Sequence, residues 1–207
     1  MLIPLSDLVH RFGLKISGVL HIGAHECEES LAYSQCGVNP DDVLWLEGNK
    51  DLVHKMKQRV PSTKIHHVVV SDTDNKDVSF IVTNNYQSSS ILELENHKVF
   101  YPGIHEIARQ AAKTKTVDTF FVEQNEPMAK YNFVNIDIQG AELLALKGMT
   151  KFLTHVDYLY LEVNDTHLYK DGALMSEIDD YLRPLGFTRV ETVMTAYKWG
   201  DALYIKK

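Results

Sequence analysis

The chain has 207 residues, 44% hydrophobic and 24% charged, with 11 Gly and 6 Pro, which excludes disordered and fibrous classes and suits a globular protein of one domain, or of a domain and a small appendage. A formal net charge of -7 excludes phosphate-backbone binding as the main activity, so nucleic acid is not an expected partner. Two cysteines, Cys27 and Cys36, are too few for a disulfide framework, and neither a signal-peptide core nor a run of the ~20 apolar residues that cross a membrane is present, so a soluble, cytoplasmic protein is expected.

Residues 1–15 read as an N-terminal helical extension. Residues 18–23 (GVLHIG), 42–48 (DVLWLEG) and 65–70 (IHHVVV) are short apolar runs bounded by turn residues, and residues 28–36 and 50–59 between them have helical character. Near-continuous apolar strands separated by helices predict a parallel sheet covered on both faces. Residues 77–83 alternate like a strand. Residues 84–115 are irregular, and insertions in α/β domains sit at the carboxyl edge of the sheet. This segment, with Tyr86, Tyr101 and His105, is therefore the expected substrate lid. The βα theme resumes with a strand at 132–138 (NFVNIDI), a helix at 141–147 (AELLALK), a strand at 158–163 (YLYLEV) and a helix at about 173–182, ended by Pro184 and Gly186. Residues 187–193 and 202–205 are strands too close for a helical crossover, which predicts a terminal antiparallel hairpin. The expectation is a single domain over residues 1–207.

Three strand tips form a candidate cofactor arc. The first βα junction runs His21-Ile22-Gly23-Ala24-His25-Glu26, and a strand ending in Gly-Ala lets backbone approach a ligand and aims free N–H groups at it. The dinucleotide pattern G-x-G-x-x-G is incomplete. Glu26, Glu28 and Glu29 repel a pyrophosphate but suit a cationic sulfonium amino acid, which disfavours NAD and favours S-adenosylmethionine (SAM). Glu47-Gly48 ends the second strand, 24 residues after Gly23, where a carboxylate accepts from both ribose hydroxyls of an adenosine. Ser71-Asp72 ends the third, in reach of an adenine amine, although Ser-Asp-Thr-Asp-Asn reads equally as an ordinary turn.

The fourth and fifth strands end in Asp137 and Glu162, with Asn164 following. Ligands of open parallel sheets lie outside such strand ends, so both carboxylates are candidates for the reacting centre. His21, His25 and Cys27 make a poor zinc site, because they come from a strand and a helix start and lack a fourth ligand. His66 and His67 face opposite ways on one strand. Asp72-Thr73-Asp74 matches the D-x-D pattern with which glycosyltransferases hold a metal–sugar nucleotide, but a turn is the plainer reading of three residues.

Over nearly the whole chain these blocks resemble the FkbM family of SAM-dependent methyltransferases: GVLHIGAHECEES, VLWLEGN, VVVSD, QSSSIL, NFVNIDIQGAELLALKGM, YLYLEVN and WGDALYIKK. The resemblance implies a Rossmann-like class I methyltransferase with a seven-stranded, mostly parallel sheet whose last strand is antiparallel. It implies O-methylation of a hydroxyl, with sugars or glycans as acceptors. Gly23 and Ala24 then line the methionine part of SAM, with His21 in the place usually acidic, His25 beside it, and Glu26 or Glu28 sharing that task. Glu47-Gly48 takes the ribose and Ser71 with Asp72 the adenine. Ser88, Ser89 and Ser90 close over the site. Asp137, Glu162, Asn164 and the Trp199-Gly200-Asp201 turn face the acceptor.

The expected chemistry is in-line methyl transfer, in which orientation and one general base supply most of the protein's contribution. Asp137 is the first choice of base, Glu162 the second, and His167 a further proton acceptor. Mg²⁺ held by Asp137 and Glu162 is compatible but not favoured. The rival readings are a glycosyltransferase using Asp72 and Asp74, an NAD-linked enzyme, and a non-catalytic SAM-binding domain.

Overall fold

Neighbouring residues of a strand point to opposite faces, so central strands that are apolar at every position need cover on both sides. The computed structural model, which describes residues 1–207, supplies it. In chain order the first half holds α1 (Leu5–Phe12), β1 (Val19–Ile22), α2 (Ser30–Gln35), β2 (Val43–Glu47), α3 (Lys50–Arg59), β3 (Ile65–His67), β4 (Val69–Val70), β5 (Asp77–Thr83) and α4 (His97–Phe100). The second half adds β6 (Glu106–Lys115), α5 (Val117–Gln124), β7 (Phe133–Ile136), α6 (Glu142–Lys147), β8 (Tyr158–Asn164), α7 (Met175–Leu182), β9 (Phe187–Met194) and β10 (Trp199–Lys206).

The main sheet has seven strands in the order β3-β2-β1-β7-β8-β10-β9. Every pairing is parallel except those of β10, which runs antiparallel to both β8 and β9. This is the predicted class. On one face Leu20, Leu44, Val134 and Leu159 pack against Phe120, Phe121, Leu146 and Ile178 of α5, α6 and α7. On the other, Val19, Trp45, Phe133 and Tyr160 pack against Leu8, Tyr33, Val53 and Met56 of α1, α2 and α3. After β3 the chain returns to β7 on the far side of β1, so the order reverses between β1 and β7, where a crevice opens at the carboxyl edge. No helix is long and apolar enough to cross a membrane.

Three expectations change. The third apolar run does not stay in one sheet: it breaks at Val68, and β4 pairs with β6 in a second sheet, β4-β6-β5. The second half of the expected lid, residues 106–115, is therefore a regular strand. Only Thr114 of β6 is buried, which is why the segment carries no apolar alternation. Finally, Trp199, Gly200 and Asp201 begin β10 instead of forming a turn; the hairpin turn lies at residues 195–198.

Candidate active site

A cavity of about 460 Å³ lies over the crevice between β1 and β7, within the size range of small-molecule sites. Its floor is the first βα turn. Gly23 has φ +92°, and a Cβ there would sit 1.8 Å from the Asp137 carbonyl oxygen, so only glycine lets β1 pass β7 at this point. The expectation of free N–H groups here is corrected: Gly23 and Ala24 both donate to the Leu46 carbonyl, at 2.9 and 3.1 Å. His25, with φ 43°, donates its N–H to Glu47 Oε2 at 2.7 Å, while the Asn49 N–H donates to Oε1 at 2.7 Å. Glu47 is thus a buried carboxylate at the tip of β2, fixed by one backbone donor on each oxygen. Burial pushes its pKa up and those donors pull it back.

His21 lies in the sheet above this floor. The Asn135 amide donates to the Tyr33 oxygen at 2.9 Å, which leaves the Tyr33 proton to donate to His21 Nδ1 at 2.9 Å. The imidazole stacks on Trp45, 4.7 Å between ring centres, and burial lowers its pKa to about 4, so it is neutral. It does not reproduce the acidic residue whose place it takes.

The ends of β7, β8 and β10 bring three carboxyl groups together. Asp201 is the cross-strand partner of Glu162, and Asp137 and Glu162 meet at the Gln139 amide. Burial raises both carboxyls, and the charge of Asp137 adds to the shift of Glu162, which lies well above its ordinary value. Gln139, which the sequence reading passed over, is the hub. Its Nε2 donates to Asp137 Oδ1 at 2.7 Å and to Glu162 Oε2 at 2.6 Å, and its Oε1 accepts from the Tyr169 hydroxyl at 2.6 Å. Behind it Glu142 is fully buried and fastens the turn by accepting from the Ile138 and Gly140 N–H groups. Burial drives its carboxyl up to about 7. Asp201 accepts from the Tyr160 hydroxyl and the Leu2 N–H, each at 2.5 Å.

The lid docks on the loop after β8. Glu95 and His97 N–H groups both donate to the Leu168 carbonyl, and Ser90 Oγ donates to the Gln139 carbonyl at 2.8 Å. Asn85, Tyr86, Ser88 and Ser89 reach the cavity from this segment, followed by His97 and Tyr101. Tyr101 accepts from Trp199 Nε1 at 2.8 Å.

Of the predicted residues, His21, Gly23, His25, Glu47, Gly48 and Ser89 line the cavity on the cofactor side. Asp137, Glu162, Trp199 and Asp201 line it on the other. Seven do not. Ala24 is buried beneath the turn. Glu26 points outward to Lys55 and Arg59. Ser71 and Asp72 lie beyond the point where the chain leaves the main sheet; Ser71 donates its N–H to Lys115, and Val68–Val70 form the wall in their stead. Ser90 clips the lid from behind. Asn164 is buried with its Oδ1 unpartnered. His167 is held by its Nδ1 to the Gly172 carbonyl at 2.8 Å and is a loop anchor, not a base at the site. The D-x-D carboxylates are likewise structural: Asp74 accepts from the Thr116 N–H and the Thr119 hydroxyl at the start of α5. No group of three or more His, Cys, Asp or Glu is arranged to hold a metal ion.

The sheet order and the crevice define a class, the Rossmann-like class I fold of SAM-dependent methyltransferases. The chain superposes on magnesium protoporphyrin IX methyltransferase from Synechocystis PCC 6803, solved with bound SAM, at a TM-score of 0.52 with 13% identity, covering 98% of this chain and 76% of that one. It superposes on a putative tRNA (m1A22) methyltransferase from Streptococcus pneumoniae at 0.51 with 12% identity, covering 100% and 70%. At these identities the likeness is one of fold alone. Residues 20–188 match the methyltransferase FkbM domain, and the chain belongs to that family. Hexuronic acid methyltransferase AglP of Haloferax volcanii is 27% identical over 161 residues, 67% of this chain, and the match spans 65% of that relative's length.

Proposed function

We propose that this chain is a SAM-dependent O-methyltransferase acting on a hydroxyl of a sugar or glycan. The observation that carries the cofactor half is Glu47. Each of its oxygens has accepted one backbone N–H and keeps a second acceptor position, so the carboxylate is preorganised for two ribose hydroxyls without rearrangement. Val68, Val69 and Phe80 offer an apolar wall beside it for an adenine ring. The occupied N–H groups of Gly23 and Ala24 leave no cradle for a diphosphate, which argues against NAD, and the acidic lining complements a sulfonium.

When bound, SAM supplies an activated methyl group on a sulfonium. The protein's work is to orient the acceptor and take its proton. Asp137 is the base in this account: burial raises both carboxyls, Glu162 well above its ordinary value, so Glu162 takes the pair's proton first, and Gln139 fixes both. A buried carboxylate with a raised pKa is a stronger base than one in water. The sugar half rests on the relative named for hexuronic acid methylation and on the polar and aromatic lid.

The test is transfer of labelled methyl from SAM to a panel of deoxysugar glycans. Transfer to a hydroxyl that falls at least 10²-fold in Asp137→Asn is expected. Tight SAM binding with no transfer to any member of the panel would identify a binding module instead.

A further inference from the structure

The cavity as a whole has an unusual charge balance. Glu28, Glu29, Glu47, Asp137, Glu162 and Asp201 line the space, and no Lys or Arg side chain does. Histidines do not make up the difference. Burial holds His21 and His97 below their ordinary values, and His97 has a buried Nδ1 without a partner, so nothing there stabilises an imidazolium. His25 is raised by Glu28, but that same carboxylate, 2.5 Å away, neutralises it at the cofactor end. The Met1 amino group faces Glu29 at 3.5 Å.

Beside the carboxylates, Tyr101 and Trp199 give the cavity an aromatic surface. Trp199 is hydrogen-bonded to Tyr101, whose ring lies 5.0 Å from that of His97. Trp199 and Asp201 are two residues apart on β10, so their side chains leave the same face of the strand about 7 Å apart. A sugar ring lying along that face meets both side chains. Its C–H face packs against an aromatic surface, and its hydroxyls donate to carboxylates. A ring bearing its own carboxylate or phosphate meets like charges in a partly desolvated space whose cationic groups, the Met1 amino group and His25, already face Glu29 and Glu28.

We propose that the acceptor half of the cavity is a subsite for an uncharged sugar ring, held between Tyr101–Trp199 and the Asp137–Glu162–Asp201 cluster, and that it discriminates against uronic acid and phosphorylated sugars. The proposal rests on the glycan reading above, narrows it to neutral acceptors, and sets this chain apart from the relative named for hexuronic acid.

The test uses the full chain saturated with S-adenosylhomocysteine (SAH) and matched methyl glycosides of glucose, galactose and mannose with their hexuronide counterparts, followed by saturation-transfer NMR and titration. At least one neutral glycoside is expected to bind ten times or more tighter than its hexuronide, and Tyr101→Ala weakens it at least fivefold. SAH titration reports that the variant is folded, and Trp199→Phe gives a milder second probe of the wall. A hexuronide that binds as tightly as its neutral partner overturns this proposal and leaves the glycan reading standing. SAH binding with no binding of any glycoside overturns both.

Discussion

Replacing Glu47 with Gln removes one of two acceptor oxygens while keeping size and shape. The amide can accept from the His25 N–H or from the Asn49 N–H, not both, so one buried donor now faces an NH₂ group. An orphaned buried donor costs about 1–3 kcal/mol, partly offset because Gln avoids the burial penalty that raises the Glu47 pKa. A net loss of about 1–2 kcal/mol lowers Tm by roughly 2–8 °C in a chain of this size. The cofactor effect is separate. Losing a charge-assisted bond to one ribose hydroxyl costs about 1.5–3 kcal/mol, which weakens SAH binding on the order of 10–100-fold. Calorimetric titration with SAH and a thermal melt read the two effects independently. Glu26→Gln serves as the control, since Glu26 is turned away from the cavity to Lys55 and Arg59. SAH affinity within twofold of wild type in Glu47→Gln would refute the assignment of Glu47 to the ribose.

Gly23→Ala places a methyl group 1.8 Å from the Asp137 carbonyl oxygen at φ +92° and is expected to cost about 3 kcal/mol or more, lowering Tm by at least roughly 6 °C; an unchanged melt contradicts the packing of β1 on β7. Glu142, raised from 4.5 to about 7 by burial, contributes stability that is complete below the ordinary carboxylate pKa and is lost as pH climbs through that window. Glu142→Gln keeps an acceptor for Ile138 and Gly140 but cannot ionise, so urea unfolding at pH 5 and pH 8 should differ less in the variant than in wild type; equal differences count against a buried, proton-bearing Glu142. Ser90→Ala severs the clips to the Gln139 carbonyl and the Leu92 N–H, and about 1–2 kcal/mol of lost lid stability should appear as faster amide exchange at Leu92.

The residues that sequence made legible are those whose position follows from strand periodicity. Gly23, Glu47, Asp137 and Glu162 each end an apolar run, and parallel strands place such ends along one edge of the sheet. The same logic misplaced Ser71 and Asp72, because nothing in the apolar run of residues 65–70 marks the break at Val68 that sends Val69 and Val70 to a second sheet. β6 stayed hidden since its side chains face solvent and carry no alternation. Gln139 and Tyr169 join through a contact between two loops, 30 positions apart, that has no local signature. His97 and Tyr101 fell within the expected lid, yet the bond of Tyr101 to Trp199 depends on how residues 93–97 pair with the loop after β8. His167, expected as a further proton acceptor, has its Nδ1 spent on the Gly172 carbonyl, a contact within a loop that the sequence does not mark.

The central claim is that the cavity between β1 and β7 takes SAM, with Glu47 on the ribose and no cradle for a diphosphate. Parallel calorimetric titrations of the chain with SAM and with NADH test it most directly. The account predicts one SAM site per chain and no measurable heat with NADH; absence of SAM binding, or tighter binding of NADH, would contradict it.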